Sequence, residues 1–321
     1  MPRDGSTKFP PDVPGGPVGG QPDPGFAAGL GELAQPPFAV LPNPASVFAR
    51  RSARFAALAP GHDLRPYLEF LSKLCAAQAA CVSDVPAPVL PDAATLDVAH
   101  AHNLPPISFA KLDLDDIADQ TLAKIAGAIV DVDTTPASRA AAQRVLDATP
   151  DQRRAMMRAV LMDEVPGDAI AEHVLAAAAV QVHVARLAAQ LDAAKLQNVA
   201  NGACPACGSG PVASTIVGWQ GAHGARYCTC SICATQWNVV RILCLMCGTD
   251  KGIAYQSIEG GPGVVLGETC DGCRSYVKIL HQHKDPALDS VADDVASLAL
   301  DLVLGKEGFQ RASANPFLLG Y

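Results

Sequence analysis

Eight cysteines are arranged as four CxxC pairs in the C-terminal part of the chain. They are Cys204, Cys207, Cys230, Cys233, Cys244, Cys247, Cys270 and Cys273. In each half of this set the second pair begins 26 residues after the first. The second half repeats the first with a displacement of 40 residues. This double regularity indicates a tandem duplication of one cysteine-bearing unit.

The spacing within each pair is that of a metal-binding turn. Cysteines at i and i+3 of a tight turn direct two thiolates at one point, and a second turn brought back by a hairpin completes a tetrahedral four-sulfur site. Gly208 and Gly248 follow the second cysteine of a pair, where such a turn needs a permissive backbone. The duplication therefore predicts two metal ions per chain. Four thiolates suit iron and zinc equally well, so the metal stays open.

The remaining cysteines and several histidines have simpler explanations than metal ligation. Cys228 is predicted to be a strand residue that faces away from the metal, and Cys75 and Cys81 to be small buried residues of an alanine-rich helix. Packing or solvation accounts for the histidines considered as ligands, which are His173, His183, His281 and His283. The sequence shows no serine triad, phosphate-binding loop or pair of catalytic carboxylates, so no catalytic residue is assigned.

Helices are expected before the cysteine region and strands within it. From 43 to 198 apolar residues recur at helical spacing, and Thr149 followed by Pro150 is typical of a helix start. From 202 to 283 short β-branched runs alternate with glycine, which indicates strands. A single helix is expected after Lys284, and its apolar face consists of Leu288, Val291, Val295, Leu298 and Leu302.

The predicted fold class is α+β, with a mainly helical N-terminal domain followed by two tandem rubredoxin-like or zinc-ribbon modules and a C-terminal helix. The expected boundaries are 1–40 for a disordered tail rich in proline and glycine, 41–199 for the helical domain, 200–243 and 244–283 for the two metal modules, and 284–321 for the C-terminal helix and tail. The longest helix is expected at 167–199, leading into the first module. The tail has too little apolar surface to offset the entropy of ordering.

The composition narrows the class of protein. The chain has 321 residues and a net charge of −8, which argues weakly against nucleic acid or an anionic membrane as the main partner. Between 200 and 283 there are five basic and four acidic residues, a poor footprint for nucleic-acid binding. The most apolar run, 173–191, contains charged and polar residues, so no membrane span is expected. The start of the chain lacks the apolar run of a secretory signal, which favours metal ligation over disulfides.

Long stretches of the sequence are similar to one known family. The cysteine region contributes CPACGSGPVAS, RYCTCSICATQWNVVRILCLMCG and ETCDGCRSYVKIL. The C-terminal part contributes KDPALDSVADDVASLALD and GFQRASANPFL, and the helical part contributes LPNPASVFARRSARFAALAPGHDLRPYLEFLSKLCAAQ. Together these motifs resemble the formate dehydrogenase accessory protein FdhE family over about residues 40–321.

This resemblance implies a cytoplasmic accessory or maturation factor that is not itself an enzyme. Members of the family are needed for active formate dehydrogenase, a molybdenum or tungsten enzyme, and are thought to act on its catalytic subunit late in maturation. The resemblance also implies two rubredoxin-like modules, for which iron has been proposed, with the eight paired cysteines as ligands. Neither Cys228 nor the proline-rich tail has a counterpart in the family pattern.

Two residues of the cysteine region are candidates for contact with formate dehydrogenase, the expected client enzyme. Trp237 and Arg241 are expected on or near strands, where a partly exposed tryptophan close to an arginine is typical of a binding hot spot. The competing explanation is that Trp237 covers the first metal site. A second hypothesis for the whole protein is a rubredoxin-like one-electron redox protein that acts on the client. A nucleic-acid-binding ribbon protein is the weakest alternative.

Overall fold

The structure, a computed structural model, describes residues 36–132 and 134–319. Within these residues the helices are α1 (Pro44–Leu58), α2 (Arg65–Asp84), α3 (Ala93–Ala101), α4 (Asp116–Asp131), α5 (Pro136–Asp147), α6 (Pro150–Met162), α7 (Ile170–Ala188), α8 (Ala292–Ala296) and α9 (Leu298–Lys306). The strands are β1 (Ala39–Val40), β2 (Pro211–Ile216), β3 (Arg226–Cys230), β4 (Gln236–Val239), β5 (Ile253–Gln256), β6 (Val265–Cys270), β7 (Ser275–His281) and β8 (Gln310–Arg311). The predicted α+β class is confirmed.

The helix starts follow local rules that are visible in the sequence. At the start of α6 the Thr149 side chain accepts from the Gln152 amide, while the Gln152 side chain accepts from the Thr149 amide, which makes a complete capping box. Pro150 lies in the first turn of α6, where its missing N–H costs no hydrogen bond, and Pro66 does the same in α2. The helix start predicted at Thr149 is therefore confirmed.

Helix α7 forms the centre of the helical domain. It is buried from Glu172 to Ala188, and α2, α4, α5 and α6 pack around it. The Gln181 side chain donates to the backbone oxygen of Ser231 over 2.8 Å, and Gln78 of α2 donates to the Gln181 side chain over 3.1 Å. Because Ser231 lies between Cys230 and Cys233 in the chain, these buried hydrogen bonds hold the first cysteine unit against the helices.

Helix α7 is shorter than expected. It ends at Ala188, and a 3-10 turn at Ala193–Lys195 follows in place of the predicted continuation to Val199. The Asp192 side chain accepts from the Ala194 amide and so begins the new turn. Among the described residues, α7 is the one helix long and apolar enough to cross a membrane, but 89% of its most apolar stretch is buried inside the protein.

The strands form one sheet in the order β1-β4-β3-β2-β7-β6-β5, with β8 beside the start of β7. Strands β2, β3 and β4 make an antiparallel meander, and β5, β6 and β7 form a second one. The meanders join through a parallel pairing of β2 with β7, in which Ser214 lies opposite Ile279. The halves 200–243 and 244–283, expected as two modules, therefore share a continuous sheet.

A buried ion pair connects the two meanders next to this joint. Arg226 of β3 donates to Glu268 of β6 over 2.7 Å, and the two side chains are 0% and 4% exposed. The same guanidinium donates to the backbone oxygens of Arg241 and Leu243, which lie between β4 and the next cysteine pair. Loss of either charged partner would leave the other charge buried and unpaired, so the pair fixes how the meanders are oriented.

The C-terminal segment differs from its prediction. The expected single helix is broken into α8 and α9, and Leu302, expected on the apolar face, is 50% exposed. The cause is a buried charge cluster that apolar periodicity does not reveal. Lys278 of β7 lies 3.2 Å from a carboxylate oxygen of Asp294 and 2.5 Å from one of Asp301. Asp294 precedes the break and Asp301 follows it, so the break brings both carboxylates to one lysine.

Of the predicted tail, 1–40, residues 1–35 lie outside the described residues. Its last residues are structured, because β1 pairs with the outer edge of β4. The backbone oxygen of Phe38 accepts from the Asn238 amide over 2.7 Å, and that of Pro37 accepts from the Tyr227 hydroxyl over 2.6 Å. The boundary expected at residue 40 therefore comes too late in the chain.

Candidate metal centres

The eight paired cysteines lie in two groups of four. The first group is Cys204, Cys207, Cys230 and Cys233, and the second group is Cys244, Cys247, Cys270 and Cys273. Within each group all four sulfur atoms lie within 4.8 Å of one another, and all eight cysteines are free thiols. In each group one pair comes from the turn before a meander and the other from the turn between its second and third strands. The meander thus returns the chain to the same point.

The sulfur separations fit a tetrahedral metal ion. In the first group Cys204 Sγ lies 3.5 Å from Cys233 Sγ, and Cys207 Sγ lies 3.4 Å from Cys230 Sγ. The equivalent separations in the second group are 3.6 and 3.8 Å. A metal–sulfur bond of about 2.3 Å gives a tetrahedron edge of roughly 3.8 Å. Each group could therefore hold one metal ion, and thiolate donors suit both zinc and iron.

Left-handed backbone conformations shape the turns that carry the cysteines. Gly208 (φ +79°) and Gly248 (φ +73°) follow the first pair of each group. Their amides donate to the carbonyl of the first cysteine in that pair, over 2.8 and 3.0 Å. After the second pair, Ala234 (φ +59°) and Arg274 (φ +56°) adopt the same conformation. The glycines are visible in the sequence, whereas the 40-residue displacement is the only signal that relates Ala234 to Arg274.

A hydroxyl group lies beside the last sulfur atom of each group. Thr235 Oγ1 is 3.1 Å from Cys233 Sγ, and Ser275 Oγ is 2.9 Å from Cys273 Sγ. Burial raises thiol pKa values, but hydrogen bonds from the neighbouring thiols and from these hydroxyls outweigh it, holding the pKa of Cys233 well below its usual value and lowering the pKa of Cys273 to about 6. A thiol that loses its proton easily is a better metal ligand. Sequence reasoning missed both hydroxyls, although they too are 40 residues apart.

The two groups differ in what covers them. All four cysteines of the first group are buried, whereas Cys247 and Cys273 of the second group are exposed. The segment after α3 lies over the first group, where the Ile107 amide donates to the Ala206 carbonyl over 3.0 Å. The first group is therefore part of the core, and the second lies at the surface.

The other cysteines and the histidines belong to neither group in the part of the chain that the structure describes. Burial raises the pKa of Cys228 on β3 to about 12, that of Cys75 to about 12 and that of Cys81 to about 11. All three are buried members of the hydrophobic core, as expected for small apolar residues. The histidines outside both groups include His173, His183, His281 and His283.

Trp237 and Arg241 lie in different environments. Trp237 is 2% exposed, so the expectation of a partly exposed tryptophan is wrong. The reason is that Trp237 packs into the main hydrophobic core, which also contains the cysteines of the first group. This burial favours the competing explanation, in which Trp237 covers the first site. Arg241 is exposed just after β4, and its neighbours Val240 and Ile242 are 64% and 52% exposed.

Family models match almost the whole described chain. They are described as FdhE, N-terminal, over residues 36–201, FdhE, central domain, over 203–241, and FdhE, C-terminal domain, over 242–318. A Protein FdhE homolog from Rhizobium meliloti (strain 1021) is 42% identical over 303 residues, covering 94% of this chain and 98% of that protein. A Protein FdhE homolog from Pseudomonas aeruginosa is 34% identical over 279 residues, covering 85% of this chain and 90% of that protein.

A solved structure has the same fold. The crystal structure of the FdhE protein from Pseudomonas aeruginosa matches with a TM-score of 0.78 and 33% identity, covering 88% of this chain and 99% of that chain. The similarity in sequence and in fold extends over the helical domain and both cysteine groups. The resemblance found in the sequence is therefore confirmed, and the chain belongs to the FdhE family.

Proposed function

We propose that this protein is an accessory factor that binds the catalytic subunit of formate dehydrogenase and is needed for the activity of that enzyme. Family membership and the two four-cysteine groups support an accessory role that uses bound metal. The exposure of the second group supports binding of a partner, because exposed thiolate ligands put a metal centre where a partner can reach it. The protein itself is not an enzyme, and it acts in the cytoplasm.

The two metal centres have different tasks in this proposal. The first centre is buried between the sheet and the helical domain, so its metal, iron or zinc, stabilises the fold. The second centre has Cys247 and Cys273 at the surface, so its metal orders the turns that present the contact surface. Each chain then holds two metal ions, one in each centre.

An apolar surface next to the second centre is the proposed contact. Val240, Ile242, Met246 and Tyr255 are 64%, 52%, 55% and 44% exposed, and Arg241 lies among them in the chain. Tyr255 lies opposite Glu268 in the β5–β6 ladder, and Arg226, which pairs with Glu268, also donates to the backbone oxygen of Arg241. One buried ion pair therefore links the two residues. Neighbouring exposed apolar residues mark interfaces, and tyrosine and arginine are frequent in hot spots. We call these five residues the client surface.

The test combines client binding with metal analysis. Arg241→Ala together with Ile242→Ser should leave two metals bound and reduce co-purification of the catalytic subunit by about tenfold or more, as expected for hot-spot residues. Val89→Ser is the matched control, because Val89 is 82% exposed and lies in the helical domain. Retained metal with full client binding would contradict the proposed surface. Loss of metal would show that the segment between β4 and Cys244 has a structural task.

Trp237 provides the opposite test within the same region. Since it packs in the core with the first group, Trp237→Ala should reduce metal content at the first centre and lower the melting temperature. A Trp237→Ala protein with two metals, a normal melting temperature and no client binding would restore Trp237 as a contact residue.

The step of maturation that the protein serves is tested with the client in two states. The protein should be used to capture the catalytic subunit from strains with and without the molybdenum cofactor. Preferential capture of the cofactor-free subunit indicates protection or inspection of an incomplete enzyme. Equal capture of both states would contradict such a task.

A rubredoxin-like redox protein is the second candidate function. The observation that favours it is the exposure of Cys247 and Cys273, since an iron held there would be accessible for one-electron transfer to a docked client. Protein purified without oxygen should then contain iron whose ferric form accepts one electron at a physiological potential. Protein that contains zinc alone and still activates the client would exclude this candidate.

A further inference from the structure

A cavity of about 670 Å³ lies between α1, the first meander and the segment that joins β7 to α8. One wall is the face of α1 from Asn43 to Ala57, the floor includes Thr215 of β2 and Thr229 of β3, and the far wall is 286–290. Sites for small organic ligands have volumes of roughly 300–1,000 Å³. The lining residues include neither the paired cysteines nor the client surface, so a ligand here would serve a separate task.

One guanidinium in this cavity has no counter-ion among the described residues. Three arginines of α1 line the cavity. Arg51 donates to Asp289 over 3.3 Å, and Arg54 pairs with Asp293 over 2.6 Å. Arg50 is exposed and makes no hydrogen bond or ion pair with the residues that the structure describes. An unpaired arginine that lines a cavity is a suitable partner for an anion.

The floor and the far wall supply hydrogen-bonding groups. Ser290 Oγ lies 2.9 Å from Thr229 Oγ1 and 3.3 Å from Thr215 Oγ1, so hydroxyls from three segments meet there. Gln282 also lines the cavity. This cluster of hydroxyls therefore gives the cavity groups that can hydrogen-bond to a polar ligand.

An apolar side completes the cavity. Half-buried Trp219 lines it together with Val47 and Leu288. The Trp219 ring packs against that of Tyr227, with centroids 4.8 Å apart, which holds the indole in place. The carbon body of a ligand can lie against this side. Trp219 is also a natural reporter, because the other tryptophan, Trp237, is 2% exposed.

We propose that this cavity binds a small organic phosphate. Phosphate oxygens match the planar fork of the Arg50 guanidinium, and the start of α1, at one end of the cavity, adds a favourable dipole. The hydroxyls opposite can donate to a remaining phosphate oxygen. The organic part of the ligand packs against Trp219. The client surface does not contribute to this site, so the two proposals stand or fall separately.

The binding test uses the full-length protein with its metals bound. Ribose 5-phosphate and AMP are the probes, and ribose and adenosine are the controls without phosphate. Calorimetry should show saturable binding of at least one phosphate, with its control about tenfold weaker or more, as expected for a charge-assisted contact. Ribose 5-phosphate should also change the fluorescence of Trp219, and Trp219→Phe should remove that change.

Substitutions then assign the site. Arg50→Ala should weaken phosphate binding about 10- to 100-fold, and Arg50→Lys should weaken it less, because lysine keeps the charge and loses the fork. Arg65→Ala is the matched control, since Arg65 is exposed and pairs with Glu69 outside the cavity. Both Arg50 variants should melt like the wild type. Absence of saturable binding, equal binding by Arg50→Ala, or binding of a phosphoserine peptide alone would overturn the proposal.

Discussion

The first four-cysteine group lies in the core and the second lies at the surface, although their geometry is nearly the same. Facing sulfur atoms are 3.4 and 3.5 Å apart in the first group and 3.6 and 3.8 Å apart in the second. Both groups have left-handed residues and a hydroxyl at equivalent positions. The two copies therefore share the geometry of a four-sulfur site and differ in their surroundings.

Equivalent positions in the two copies show where the surroundings diverge. In the first copy Ser231 and Ala206 accept hydrogen bonds from the helical domain through their backbone oxygens. The equivalent residues of the second copy, 40 positions later, are Asp271, which is exposed, and Met246, which is 55% exposed. Where the first copy has a covered small residue, the second has an exposed acid or an exposed apolar side chain, and the second group accordingly lies at the surface.

Replacing one cysteine in each group should separate the two tasks most strongly. Cys207→Ser should unfold or aggregate the protein, because a structural metal contributes on the order of 10 kcal/mol, as much as a typical domain's net stability. Cys247→Ser should lose one of two metals and stay folded. Elemental analysis and thermal melting of each variant measure this, with Cys81→Ala as a control that keeps both metals. A folded Cys207→Ser protein would remove the distinction between the groups.

Metal release should also distinguish the two groups. A chelator reaches the exposed second centre directly, whereas the first centre needs local opening of the core, so release should be biphasic with rates that differ about tenfold or more. Absorbance of a coloured chelator over time measures both phases. Cys247→Ser should lack the fast phase. A single phase for the wild-type protein would show that burial does not protect the first metal.

The outer edges of the meanders offer a further comparison, because β1 covers β4 and no described strand covers β5. Deleting 1–40 removes the bonds from Asn238 and Tyr227 to the tail carbonyls and should lower the free energy of unfolding by about 2 kcal/mol. Deleting 1–35 is the matched control and should leave it nearly unchanged, since those bonds remain. Denaturant unfolding measures both variants, and equal stability of the two would show that β1 contributes little.

The smallest effect is expected at the paired hydroxyls. Thr235→Val and Ser275→Ala each remove one hydrogen bond to sulfur, which should weaken metal binding by about 1 kcal/mol and raise the pH at which acid displaces the metal. The raised pH follows because the thiol pKa rises once the hydroxyl is gone. Thr235→Val should have the larger effect, since its site is buried. Competition with a chelator at several pH values measures both, and a larger effect at Ser275 would reverse the comparison.

Local signals in the sequence carry much of this structure. Cysteine spacing reflects the grouping of sulfur atoms because each pair occupies a single turn, and Thr149 with Pro150 marks a helix start through contacts within one turn. The 40-residue displacement even relates Ala234 to Arg274, although neither residue type favours a left-handed conformation. Local geometry that is set by contacts within a few consecutive residues can therefore be predicted from the sequence.

The features that sequence reasoning missed depend on contacts between distant residues. Strand β6 was not singled out in the sequence, because glycine, glutamate and threonine interrupt its apolar residues. Trp237 is buried in a hydrophobic core to which both helices and strands contribute. The C-terminal helix is interrupted where Asp294 and Asp301 both pair with Lys278, which lies on strand β7. The parallel pairing of β2 with β7 joins Ser214 to Ile279, and no local pattern specifies such a register.

That parallel pairing has a consequence for self-assembly. The first strand of the first meander, β2, pairs with the last strand of the second meander, β7. Such a contact is head-to-tail and can in principle repeat without limit. A further copy would have to place the outer edge of its β4 against β5, which pairs with β6 alone among the described strands. In every chain β1 already occupies that outer edge of β4. Residues 37–40 therefore terminate the array at two units, and a chain without them presents complementary ends from which linear polymers would grow.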